Sequence, residues 1–135
     1  MRDMSNMSDF KIIEKLKSKI KYPFYFYFDE DKCVELSLSD NGFKYGGIIR
    51  RYSSSEKFSI LLLISKLHNL KKLNLGRNKL LKMPDSFVEL NNLEYLDLRS
   101  NYFGENIKLC PSAKIRHLEL GNNNLYKVPE IVGKY

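Results

Sequence analysis

Between Leu70 and Phe103 one spacing of residues is written twice. Leu70, Leu73, Leu75, Asn78 and Leu80 stand at offsets zero, three, five, eight and ten, and Leu93, Leu96, Leu98, Asn101 and Phe103 repeat those offsets. Cys33, Leu36, Leu38, Asn41 and Phe43 carry them earlier in the chain, and Ile115, Leu118, Leu120, Asn123 and Leu125 carry them later. Alternate side chains of a strand point to one face, so Leu73 and Leu75, and their counterparts, are the inward side of a short strand. The residues at offsets zero and ten close that core from either end. A carboxamide donates and accepts at once, which suits asparagine to the point where the chain leaves the strand and its backbone groups lose ladder partners. A leucine there would leave those groups unpaired. Asn41, Asn78, Asn101 and Asn123 are therefore predicted to be structural.

This spacing resembles the LxxLxLxxNxL signature of the leucine-rich repeat family. The resemblance implies an α/β solenoid, with parallel strands on a concave face, helices or loops on the convex face, and about four repeats over residues 33–135. Met83, Pro84, Phe87 and Leu90 are similar to the LPxxFxxL convex segment of the 23-residue class found in intracellular scaffold proteins. After Asn101 the chain departs from that pattern, reading YFGENIKLCPSA. Pro111 disfavours a regular helix there, which leaves Ile107 and Leu109 as core contributors. The interval from Asn41 to Asn78 exceeds the 20–29 residues of an ordinary repeat, and the excess is assigned to a loop insertion over residues 44–54, KYGGIIRRYSS. Ser53 and Glu56 then form a capping box for a convex helix through Phe58, Leu61, Leu62 and Ser65 to Leu67. The last repeat continues through Val128, Pro129 and Val132, and no polar capping stretch stands before Tyr135. Its apolar side is expected to be open, covered by a second copy of the chain or by further repeats of a longer array.

Upstream of the repeats, residues 1–8 are polar and Met-rich and are expected to be disordered. Residues 9–32 read as an N-terminal helix-plus-strand cap of the kind repeat arrays need. Ser8 or Asp9 serves as N-cap, and Phe10, Ile13, Leu16 and Ile20 form a helical apolar stripe. Pro23 ends the helix. The aromatic run from Phe24 to Phe28 follows as a strand, apolar on both faces, and then an acidic turn, Asp29-Glu30-Asp31.

Composition narrows the function classes. With 135 residues the chain is one domain. Its net charge of +7 predicts weak attraction to acidic surfaces. Cys33 and Cys110 are far apart and form no CxxC pair, so both are expected as buried reduced thiols. No signal-peptide core opens the chain. The longest aliphatic run, Ile60 to Ile64, is far below the roughly 20 residues of a membrane span, and a cytoplasmic location is expected.

The repeat register places four columns on the concave face: Glu35, Lys72, Tyr95 and His117; Ser37, Asn74, Asp97 and Glu119; Ser39, Gly76, Arg99 and Gly121; and Asp40, Arg77, Ser100 and Asn122. By resemblance to the family these columns bind a protein partner. Lys72, Asn74, Arg77, Tyr95, Asp97, Arg99, His117, Glu119 and Asn122 are the candidate contacts, with Tyr95 as anchor and Arg77 and Arg99 offering bidentate pairing to acids. The face carries acids (Glu35, Asp40, Asp97, Glu119) and bases (Lys72, Arg77, Arg99) in near balance, whereas nucleic-acid grooves are single-signed. No catalytic residues, metal site, cofactor or small-molecule substrate are expected: no P-loop, GxGxxG or zinc spacing occurs, Gly46-Gly47 is an isolated pair, and His117 with Glu119 forms no triad with Ser37 or Ser39. An adaptor or scaffold is thus predicted, not an enzyme. The competing readings are a regulatory fragment of a larger signalling protein, such as a kinase or Roco-type GTPase, and a membrane-surface or nucleic-acid binder acting through Lys11, Lys15, Lys17, Lys19 and Lys21.

Overall fold

Two core positions three residues apart, such as Cys33 and Leu36, cannot share one face of a regular strand, because side chains alternate. The computed structural model, which describes residues 7–39, 46–104 and 114–123, shows how the chain solves this. Strand β1 (Tyr25–Asp29) and strand β2 (Lys32–Ser37) form an antiparallel hairpin. Tyr27 pairs with Glu35 and Phe28 with Cys33, so Val34 is an extra residue on β2, a bulge. That single insertion turns both Cys33 and Leu36 inward, where both are buried. Later repeats kink at the same point. The Lys71 carbonyl accepts from the N–H groups of both Glu94 and Tyr95, and the Glu94 carbonyl from those of Arg116 and His117.

The sheet is ordered β1-β2-β3-β4-β5, with β3 (Lys72–Asn74), β4 (Tyr95–Asp97) and β5 (His117–Glu119) each parallel to the strand before it. The fold is α/β, but the sheet is mixed: β1 is antiparallel to its neighbour. A two-residue turn, Glu30-Asp31, joins β1 to β2, and so short a connection permits only an antiparallel pair. Parallel neighbours need crossovers. Helix α2 (Ser54–Ile64) supplies one between β2 and β3, and a 3-10 helix over Asp85–Glu89 supplies the next.

The sequence dictates where each of these starts. Ser53 accepts from the Glu56 N–H, and the Glu56 carboxylate accepts from the Ser53 N–H, so the capping box is formed. These contacts hold the Glu56 pKa below its ordinary value. Ile60, Leu61, Leu63 and Ile64 are buried, and so is Ser65, while Leu62 faces solvent, against the expectation that it would pack inward. Pro84 caps the 3-10 helix, beneath which Met83, Phe87 and Leu90 are buried.

Helix α1 (Asp9–Lys19) starts at Ser8, whose hydroxyl accepts from the Lys11 N–H. Its buried face is Asp9, Ile12, Ile13 and Leu16, with Ile20 just beyond. Phe10, expected in that stripe, is 52% exposed and lies stacked on Phe28, with ring centroids 4.5 Å apart. The reason is the hairpin. Asp9 turns inward because its carboxylate accepts from the Cys33 N–H at 2.8 Å, which rotates Phe10 to the rim. Burial and the Asp9 charge together push the Cys33 thiol up to about 12, so Cys33 is a protonated core residue.

The expected insertion is only partly a loop. Ile48 and Ile49 are buried, and their N–H groups donate to the Leu38 carbonyl and to Asn78 Oδ1. Gly47 lies so close to the Asn78 carboxamide that a Cβ would stand 2.2 Å from Oδ1. The paired glycines are therefore structural. The expectations for residues 1–6, Asp40, Asn41, Phe43, Ile107, Leu109, Cys110 and the final repeat beyond Asn123 lie outside the described residues.

Candidate functional site

Parallel register carries sequence columns into spatial rows. Glu35, Lys72, Tyr95 and His117 pair across β2 to β5, as do Ser37, Asn74, Asp97 and Glu119. Between these rows Leu36, Leu73 and Leu96 point the other way and are buried, with Leu118 partly so. The antiparallel hairpin adds a fifth member to each row, since Tyr27 pairs with Glu35 and Tyr25 with Ser37. Both tyrosines are exposed. Columns counted from the repeats alone miss these two residues. The alternation Tyr25-Phe26-Tyr27-Phe28 was the available signal, because every second residue of that run carries a hydroxyl that prefers water.

The two rows do different work. In the second row, short acceptors reach forward to the backbone two residues on. Ser37 Oγ accepts from the Ser39 N–H, Asn74 Oδ1 from the Gly76 N–H and Asp97 Oδ1 from the Arg99 N–H. Ser, Asn and Asp are the residues that close such local turns. Asp97 is buried and also holds the Arg99 guanidinium, which donates from Nε to both carboxylate oxygens and from Nη2 to Oδ2 at 2.8 Å. Arg99 reaches Glu119 as well, at 3.5 Å, and these acids raise its pKa. The bidentate capacity expected for a partner is thus largely spent within the chain.

The first row is more open. Lys72 is exposed, and Tyr95 stacks flat against His117, with centroids 4.6 Å apart and the planes 3° from parallel. His117 Nε2 lies 2.7 Å from Glu119 Oε1. Tyr95, His117, Glu119, Arg99 and Asp97 therefore form one continuous chain of contacts, which holds the aromatic pair in place. Tyr25 donates to Glu35 Oε1 at 2.9 Å, and that carboxylate raises the phenol's pKa. Between Tyr25, Glu35, Lys72, Asn74 and Tyr95 the face sinks into a shallow depression of about 210 Å³.

Arg77, Ser100 and Asn122 occupy the turn itself, with φ of 64°, 58° and 59°. Arg77 and Asn122 are exposed and outside the two rows. Each turn is tied by the asparagine that follows it. Asn78 donates to the carbonyls of Leu38, Leu75 and Gly76 and accepts from the Ile49 N–H. Asn101 donates to Leu75, Leu98 and Arg99 and accepts from the N–H groups of Asn78 and Leu80. Asn123 donates to Leu98, Leu120 and Gly121 and accepts from the Phe103 N–H. Each carboxamide closes its own turn and also bonds the neighbouring one, a staple between repeats that the spacing alone does not reveal.

Residues 63–103 match the leucine rich repeat family model. That stretch is therefore leucine-rich repeat sequence. The matched stretch contains β3, β4 and the two asparagines, Asn78 and Asn101, whose bonds are complete in the structure. No curated protein matches the chain. Leucine-rich repeat domains generally mediate protein–protein interaction.

Proposed function

We propose that the chain is a short solenoid whose sheet face, concave by analogy with the family, binds a protein partner without catalysing a reaction. The observation that carries this reading is the depression between Tyr25, Lys72 and Tyr95, which is lined by two tyrosines and by charges of both signs. Tyrosines bring large contact area with few rotors to freeze. The stack of Tyr95 on His117 removes further freedom before binding, so less ordering cost remains to be met on association. The near balance of Glu35, Asp97 and Glu119 against Lys72, Arg77 and Arg99 suits a polar protein surface better than a polyanion. A cytoplasmic site of action accords with Cys33 as a buried free thiol, and helix α1, packed on the hairpin, is read as the array's N-terminal cap.

The test is an affinity capture from the source cell's lysate at physiological salt, followed by titration of the captured protein in purified form. Wild type is compared with a Tyr25→Ala, Lys72→Ala, Tyr95→Ala variant of matched melting temperature. Loss of the captured protein, with at least about a tenfold weaker Kd on titration, is the expected outcome. Equal capture by both forms would place the contact elsewhere.

A further inference from the structure

On the far side of the second repeat, the start of α2 and the irregular segment Lys79–Lys82 enclose a half-open groove of about 490 Å³. Its floor is apolar, with Phe58 and Leu61 from α2, and Leu81 stands at its mouth with 57% of its surface exposed. Three cations surround it: Lys57, Lys79 and Lys82. No carboxylate lines it, and among the described residues none of these lysines is ion-paired. Lys57 donates to the Lys79 carbonyl at 3.3 Å, which holds its ammonium group at the wall. Burial and the neighbouring Lys79 charge lower the Lys57 pKa, as expected of a cation lacking its counter-charge.

The backbone indicates what shape of occupant fits. Leu80 is fully engaged, its N–H donating to Asn101 Oδ1 and its carbonyl accepting from Tyr102. The next two residues, Leu81 and Lys82, lie outside any helix, strand or turn and are exposed, and their N–H and C=O groups have no hydrogen bond among the described residues. An extended chain laid along them could pair with those groups, as in strand addition. A fatty acid could use the apolar floor and the lysines but not the backbone groups. We propose that this groove is a second protein-binding site, which takes an extended acidic segment of a partner with a leucine- or phenylalanine-sized side chain seated on Phe58 and Leu61. It is independent of the sheet face.

The test is fluorescence anisotropy with the full chain and a fluorescein-labelled acidic heptapeptide carrying leucine at its third position and phenylalanine at its fifth. Saturable binding is expected. It should weaken by about tenfold or more in a Lys57→Glu, Lys82→Glu variant, which reverses two charge contacts, and weaken clearly in Leu81→Asn, an exposed substitution that leaves the core intact. It should be unchanged in Lys15→Glu, Lys19→Glu, which makes the same charge change on α1, and in Tyr95→Ala. Absence of binding at millimolar peptide would overturn the proposal. So would equal weakening by the α1 variant, or equal affinity for a peptide with serines in place of leucine and phenylalanine, since either would mean charge attraction alone. Oleate saturating the groove while the peptide does not would assign it to a lipid amphiphile instead. The Tyr95→Ala arm keeps this outcome separate from the fate of the sheet-face reading.

Discussion

The turn side and the outward face of the same three strands differ in how much they can lose. On the turn side Asn78, Asn101 and Asn123 are buried, and each satisfies donors and acceptors belonging to two successive repeats. On the outward face Lys72, Tyr95 and His117 stand in the same ladder pairs, and beyond the ladder Tyr95 and His117 are joined by stacking. A buried polar group bonded on all sides cannot be removed without stranding its partners away from water, whereas an exposed one leaves its partners to the solvent. The difference separates residues that hold the array from residues free to serve a partner, and it cuts through single strands. Asp97 and Tyr95 sit two positions apart on β4 and on the same face, yet Asp97 is enclosed and Tyr95 is not.

The largest expected effect comes from breaking the turn side. Asn101→Ala strands the buried N–H groups of Asn78 and Leu80 and takes one of two side-chain donors from each of the Leu75 and Leu98 carbonyls, at a cost of about 3–5 kcal/mol. A urea midpoint that falls by this amount without loss of slope checks it, and a cost below about 1 kcal/mol would show that the turns do not depend on the carboxamide. Gly47→Ala comes next. Its Cβ would enter the Asn78 carboxamide, displacing the bond from Ile49, and overpacking of this kind costs about 1–3 kcal/mol. Thermal melting of Gly47→Ala beside Gly104→Ala sharpens the point, because Gly104 has positive φ but open space around it. Gly47 has no positive φ, so a loss there below about 1 kcal/mol would show that the Asn78 carboxamide yields to the added carbon. The smallest effect belongs to the face. Tyr95→Ala loses one exposed stack on His117 and should change stability by less than about 1 kcal/mol, as read by the same denaturation series. A larger loss would move Tyr95 to the structural side of the comparison and weaken its candidacy as a binding anchor.

Much of the architecture was legible because the spacing has a local cause. Leu73 with Leu75 and Leu96 with Leu98 imply a two-residue period, and once strands are parallel and in register the outward columns follow by counting. The capping box at Ser53 and Glu56 was legible for the same reason, since its partners lie three residues apart. Readings that failed involved competition between distant groups. Phe10 was expected inside, but Asp9 takes that place because a backbone donor on β2 needs an acceptor. Asn74, Asp97 and Arg99, candidate partner contacts, also carry local bonds that the column count does not show. The first two serve their own turns, and Arg99 is drawn down onto Asp97. Tyr25 and Tyr27 were read as part of a strand apolar on both faces, and the hairpin register instead delivers them to the outward rows.

By itself the sequence determined the repeat, its strands, its inward leucines and the need for asparagine at each turn. All of these follow from side-chain alternation and from backbone groups within a few residues of one another. Only the tertiary structure decided that Asp9 and not Phe10 turns inward against β2, that Ile48 and Ile49 leave the insertion for the core, that each asparagine reaches into the neighbouring repeat, and that the lysines of Lys79–Lys82 gather with Lys57 around an apolar groove. Those outcomes depend on which surfaces and hydrogen-bonding groups meet across 20 to 40 residues of chain. Local spacing cannot encode that meeting, because packing selects it from many arrangements that satisfy the same pattern.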